Sequence, residues 1–225
     1  MRRRRKIGTI AKIVIGLIGF IFFFIIAVNF IHQINDKIEL QRFINVESKV
    51  KADTSTIVVY EDITEENSKI IIGQLKSMAA NQQIKEIELY LNSYGGSAIG
   101  GLAISKVMYE IDKPIIVYAR MAASSASLIL SAGTPGKRFI SKNGLVFMHR
   151  LSSNLDKFKD SQELIKGYYR MQDFFAQRGY LTQQYIRQYV LYCHQTSKRI
   201  KRDMKKEAFF NAEQAIAYGF ADHIF

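Results

Sequence analysis

Ile87–Ile111, IELYLNSYGGSAIGGLAISKVMYEI, sets the architecture of the chain. Ile87–Leu91 reads as a short strand, closed by the turn signal NSYGGS, and a helix rich in small residues follows. The same alternation extends in both directions. Upstream, TIVVY from Thr56 is a β-branched strand, and Thr64 can cap a helix whose apolar positions Ile71, Leu75 and Met78 recur at helical spacing. Downstream, PIIVYA (Pro114–Ala119) is a strand that runs directly into a serine-rich helix, RMAASSASLILSAG, and GLVFMH ending at His149 is another strand. Leu164, Tyr168, Met171 and Phe175 then mark one face of a long helix, and two more helices end the chain. Strands alternating with helices predict an α/β domain around a largely parallel sheet.

The first residues carry a different signal. MRRRRK holds five positive charges, and the 19 residues from Ile13 to Ile31 hold none. At about 1.5 Å per residue that run reaches roughly 28 Å, close to the hydrocarbon thickness of a bilayer. It is longer than the apolar core of a cleaved secretory signal, and AVNFIHQ at its end has no small-x-small pair. It also has no polar face to show to water. The expectation is a signal anchor with residues 1–12 cytoplasmic, a transmembrane helix over 13–31, a linker over 32–56 and a folded domain over 57–225. Basic residues before the span and mixed charges after it place that domain in the periplasm or outside the cell, at a bacterial inner membrane.

A chain of 225 residues, 48% hydrophobic, has room for one sizeable domain beside this appendage. Half of the net charge of +12 belongs to residues 1–50, with nine Lys/Arg against three Asp/Glu. Most of the rest lies in KRIKRDMKK (Lys198–Lys206), which reads as a solvated helix face, so no nucleic-acid partner is expected. Cys193 is the single cysteine and permits no intrachain disulfide. Neither it nor His194 has further ligands at metal-binding spacing, so no metal or other cofactor is expected.

In α/β folds ligands bind beyond the carboxyl ends of the strands, where helix N-termini present free N–H groups. SYGGS, AASSAS and His149 all fall at such ends. Alone, each reads as a turn, a helix cap and a polar strand terminus. Together they supply what acyl transfer needs: a hydroxyl nucleophile, a base to take its proton, and backbone amides brought close by glycine to meet an oxyanion.

LYLNSYGGSAIGGLAI, MAASSASLILSAGTPGKRF, VFMH and FFNAEQAIAYGFAD resemble the successive motifs of the Clp protease proteolytic subunit, within the Clp/crotonase-like superfamily. The likeness runs from about Ile57 to Ile224. It implies a domain of repeated β-β-α/βα units, a homo-oligomer, and a serine peptidase acting on peptides or unfolded proteins. Its nucleophile falls on Ser124 after M-A-A and its general base on His149. The amides of Gly96 and Ser125 would form the oxyanion hole. Where the family has its triad aspartate this chain has Glu207, and Asp203, four residues upstream, is the alternative acid. Tyr94 stands where a proline is usual, and Ser125-Ala126 where Met-Gly is common. The segment between His149 and Glu207 is longer than expected, with the excess placed around LYCHQTSKRIKR.

Two other readings stay open. Signal peptide peptidase A and its relatives also combine an N-terminal span with a Clp-like domain, but use a Ser–Lys dyad. Lys166 is the candidate base here, and it would have to be desolvated to lose its proton near pH 7. The other reading is an inactive Clp-fold scaffold at the membrane. An extracytoplasmic domain would be out of reach of an ATPase partner.

Overall fold

Two strand–helix units and a third strand lead the chain to its candidate nucleophile. The computed structural model describes residues 55–151 and 179–225. The expected anchor, nearly all of the linker, Lys166 and the periodic positions Leu164, Tyr168, Met171 and Phe175 lie outside these residues. Among the described residues no helix is long and apolar enough to cross a membrane.

The elements run β1 (Thr56–Val59), α1 (Glu65–Ala80), β2 (Ile87–Ser93), α2 (Ala98–Glu110), β3 (Ile115–Ala123), α3 (Ser125–Ser131) and β4 (Arg138–Met148). After the undescribed segment come α4 (helical over 179–193), α5 (Ser197–Lys205), β5 (Ala208–Phe210), α6 (Ala212–Tyr218) and β6 (His223–Ile224). The sheet order is β1-β2-β3-β4-β5, with β6 also on β4. The first four strands are parallel, β5 is antiparallel to the end of β4, and β6 is parallel to its beginning. The mixed α/β reading therefore holds. Among the described residues the repeating unit is a single strand and helix, not β-β-α.

Local chemistry explains the boundaries. The Thr64 hydroxyl accepts from the Asn67 amide at 3.0 Å, while the Asn67 side chain accepts from the Thr64 amide at 2.8 Å. This reciprocal cap starts α1, with Glu65 and Glu66 facing the positive end of its dipole. In β2, Ile87, Leu89, Leu91 and Ser93 are buried while the alternate residues are half-buried. One sheet face thus packs on the helices, and the other carries a cross-strand stack of Tyr90, Tyr118 and Phe139.

Two expectations about local structure change. Arg120–Ala123 continue β3 instead of opening the serine-rich helix, because Met121 and Ala122 pair with β2 on one side and β4 on the other. Ladder pairing on both sides overrides the helical preference of alanine. The strand ending at His149 also begins six residues earlier than Gly144, at Arg138. Between Ala119↔Ile140 and Met121↔Leu145, β3 advances two residues and β4 five, so Ser141–Gly144 form a bulge that interrupts the alternation.

Nor is LYCHQTSKRIKR an excursion from the fold. Tyr192 and Cys193 are buried at the end of α4, His194 takes a left-handed turn (φ 54°), and Thr196 caps α5. Burial pushes the Cys193 thiol up to about 12, as expected for a core cysteine.

Buried Arg138 clamps this side of the molecule. Its Nη1 donates to the carbonyls of Ser131, Tyr192 and Gly219, at or near the ends of α3, α4 and α6. Nε and Nη2 grip the Asp222 carboxylate. One guanidinium thus satisfies three carbonyls at the negative ends of helix dipoles. Burial raises the Asp222 pKa, but the bonds and charge of Arg138 outweigh it and hold this carboxyl below the ordinary range.

Candidate active site

Register brings the site together. In the parallel β3–β4 ladder Ala123 pairs with Phe147, so the two strands end side by side. Ser124 directly follows β3, and His149 lies two residues beyond Phe147. The Ser124 amide donates to the Phe147 carbonyl at 2.8 Å, tying the two strand ends together. Nε2 of His149 lies 2.7 Å from the Ser124 Oγ. With the ring proton on Nδ1, Nε2 accepts the hydroxyl proton, the geometry of a nucleophile and its base.

Ser124 has φ 54° and ψ −122°, in a region that non-glycine residues seldom visit and that costs about 1–3 kcal/mol. The chain turns there from strand to helix so sharply that the side chain stands out from the bend. Ser124 occupies the N-cap position of α3, yet its hydroxyl makes no capping bond. Its oxygen faces His149 instead.

The strained turn is held from three sides. The Ser127 amide and hydroxyl both donate to the Ser124 carbonyl, at 3.1 and 2.6 Å. The Ser127 hydroxyl in turn lies 2.7 Å from the buried Tyr189 hydroxyl. Because the Ser127 proton is committed to Ser124, Tyr189 is the donor in that pair. Burial keeps Tyr189 in its neutral, donating form. Gly95 closes the third side: a side chain there would begin 2.7 Å from the Ser124 Cβ and 2.5 Å from the Ala123 carbonyl oxygen. The Ser131 hydroxyl likewise satisfies the carbonyl three residues back, that of Leu128.

The candidate oxyanion donors lie at this edge as well. The Gly95 Cβ position is also 3.0 Å from the Ser125 nitrogen, so the Gly-Gly turn and the start of α3 meet there. The turn bridges to Ile63 through the Gly95 carbonyl and the Ser97 amide, which leaves the Gly96 amide out of that pairing. Ser125 is buried, and its hydroxyl has no partner among the described residues. Tyr94, just before the turn, is 74% exposed.

The acids are placed differently. Asp203 is buried, its carboxylate taken by Arg202 at 2.8 Å and by the Tyr218 hydroxyl at 3.1 Å, with Arg199 at 3.7 Å. Burial raises its pKa, but these donors and charges outweigh burial and hold it low. Glu207 is exposed at φ 53°. The antiparallel β4–β5 ladder ends at Met148↔Ala208, so Glu207 is the next residue opposite His149. No hydrogen bond or ion pair joins Glu207 or Asp203 to His149.

What does touch the His149 ring is Phe147, stacked on it at 5.2 Å between centroids and 10° between planes. Phe209 in turn stacks on Phe147 at 4.2 Å. The signal for the first contact lay in GLVFMH, since residues two apart in a strand share a face.

A serine hydroxyl on a strained strand-to-helix turn, bonded to a histidine on the adjacent parallel strand, defines a hydrolase that works through a serine. The particular family follows from comparison with known proteins: the chain matches the Clp protease family over residues 39–225 and belongs to it. It is a serine-type peptidase. It is 28% identical over 165 residues to the ATP-dependent Clp protease proteolytic subunit 2 of Thermobifida fusca (strain YX), covering 73% of this chain and 77% of that one. To proteolytic subunit 1 of Leifsonia xyli subsp. xyli (strain CTCB07) it is 30% identical over 169 residues, covering 72% and 79%. To the proteolytic subunit of Streptococcus pyogenes serotype M5 (strain Manfredo) it is 31% identical over 162 residues, covering 68% and 76%.

Proposed function

We propose that this chain is a membrane-anchored endopeptidase that cleaves peptides or unfolded protein segments through an acyl-enzyme on Ser124. The observation that carries the reading is the 2.7 Å contact between the Ser124 Oγ and the His149 Nε2. His149 takes the hydroxyl proton as Oγ attacks the scissile carbonyl, and the amides of Gly96 and Ser125 receive the oxyanion. Collapse breaks the C–N bond, and the proton on His149 passes to the leaving amine. Water, deprotonated by the same histidine, then releases the acid product and regenerates Ser124.

Of the two acids, Glu207 is the one free to serve. It stands next along the ladder from His149, whereas the Asp203 carboxylate is occupied by Arg202 and Tyr218. With no hydrogen bond to the ring, its part is to offset the imidazolium charge.

Replacing Ser124 or His149 by alanine is expected to lower kcat/KM on a fluorogenic peptide by about 10⁴-fold or more. Ser124→Ala should also abolish labelling by a fluorophosphonate. Full labelling in His149→Ala, with loss in Lys166→Ala, would replace the triad with a Ser–Lys dyad. A well-folded wild-type chain that neither labels nor cleaves would be the inactive scaffold.

The anchor rests on the uncharged run 13–31 behind MRRRRK. A reporter fused after Phe225 should be active only outside the cytoplasm. The relatives are named as subunits of ATP-dependent proteases, so a cytoplasmic reporter signal would bring an ATPase partner into reach and overturn the proposed topology. We also infer a homo-oligomer, which light scattering of the detergent-solubilised chain would test.

A further inference from the structure

We propose that the imidazole of His149 is held in its working plane by a stack of aromatic rings, Phe209–Phe147–His149, and not by the carboxylate of Glu207 or Asp203. The inference rests on the reading of His149 as the base and names what positions it.

A histidine base needs its ring fixed so that Nε2 stays aimed at the nucleophile. A carboxylate hydrogen-bonded to Nδ1 commonly does this. Here neither Glu207 nor Asp203 makes that bond, and the contact that does fix the ring plane is the face of Phe147, 10° from parallel. The strand dictates it: Phe147 and His149 point to the same side of β4, and no turn or bulge intervenes. Phe147 is itself held, because its cross-strand partner in β5, Phe209, stacks on it at 4.2 Å. The Phe147 carbonyl also accepts the Ser124 amide, so one residue sets the backbone of the nucleophile and the ring of the base.

The stack has an electrostatic side. When His149 takes the serine proton it becomes a cation lying over an aromatic face, and a π face attracts a cation placed over it. Phe147 therefore supports the charged ring at the step where charge appears. It is a positioning residue, and it acts through His149.

The test uses the full chain in detergent. Phe147→Leu should lower kcat and the fluorophosphonate labelling rate about tenfold, with KM changed less than twofold. Phe147→Tyr, which keeps the ring, should stay within threefold of wild type, whereas Glu207→Gln, which removes the offsetting charge, should lose activity but far less than His149→Ala. Ring-proton NMR signals of His149, shifted upfield by a neighbouring ring current, should move downfield in Phe147→Leu and not in Phe147→Tyr. Wild-type labelling in a folded Phe147→Leu chain, or a loss in Glu207→Gln as large as in His149→Ala, would overturn the proposal. If Phe147→Leu fails to fold, Phe209→Ala removes the outer ring, which is 61% exposed, and should slow labelling about threefold; an unchanged rate would overturn it. If wild-type protein does not label at all, the peptidase reading fails and the NMR shift alone decides the stack: signals that stay in place overturn it.

Discussion

Ser124 and Glu207 share an uncommon backbone φ, 54° and 53°, and differ in almost everything around it. Ser124 is enclosed: its amide bonds Phe147, its carbonyl takes two donors from Ser127, and Gly95 presses against its Cβ. Glu207 is exposed, and its amide reaches the Met204 carbonyl at a long 3.4 Å. Neither backbone is favourable for an L-residue, at a cost of about 1–3 kcal/mol each. The difference lies in what opposes relaxation. At Ser124 the surroundings over-determine the turn, as the proposed nucleophile would need if it is to be in place before substrate arrives. At Glu207 little does, and there the carboxylate makes no bond to the histidine it was expected to orient.

The largest break in this contrast comes from Gly95→Ala. Its Cβ would meet the Ala123 carbonyl oxygen at 2.5 Å and the Ser124 Cβ at 2.7 Å, on a backbone with φ +93°. These are backbone and first-carbon contacts with no flexible end to move aside. Stability should fall by about 4 kcal/mol or more, read by chemical denaturation, and labelling of Ser124 should disappear with it.

Asp222→Asn tests how the far end of α3 backs the turn at its near end. It leaves buried Arg138 without its counter-charge, which should cost about 3 kcal/mol. The folded carboxyl titrates below its unfolded value of about 3.9. Its stabilisation is therefore complete above that value and is lost as pH falls through the lower, folded one. Denaturation midpoints of wild type and variant should converge on acidification below about pH 4. A constant gap across that window would show that the pair contributes nothing through its charge.

The part of the site that could be read from sequence is the part fixed by local grammar. Thr64 capping a helix, a Gly-Gly turn after a strand, and a serine and a histidine at strand ends are short-range signals, and Ser124 and His149 meet because adjacent parallel strands end together. The extension of β3 through Ala123 was not legible, because it depends on pairing with β2 and β4. The bulge at Ser141–Gly144 hid the start of β4 by breaking the alternation. The role of Glu207 was not legible either: motif position gives its place beside His149, while its backbone dihedral decides where the side chain goes. Phe147 was overlooked because an apolar residue in a strand is read as core, and nothing in the motif shows its ring stacked on that of His149 two residues on.

The smallest effect is the sharpest test of the contrast. Glu207→Gly should relieve the left-handed backbone, offset in part by the greater freedom of glycine in the unfolded chain, for a net gain of about 0.5 kcal/mol. If the aromatic stack holds His149, activity should fall less than tenfold, so that stability and activity move in opposite directions by small amounts. A loss as large as that of His149→Ala, with stability still raised, would mean that Glu207 turns to the imidazole when substrate binds. Its strained backbone would then serve the same end as that of Ser124. Two residues with one dihedral angle would be parts of one device, and the contrast between them would describe only the substrate-free enzyme.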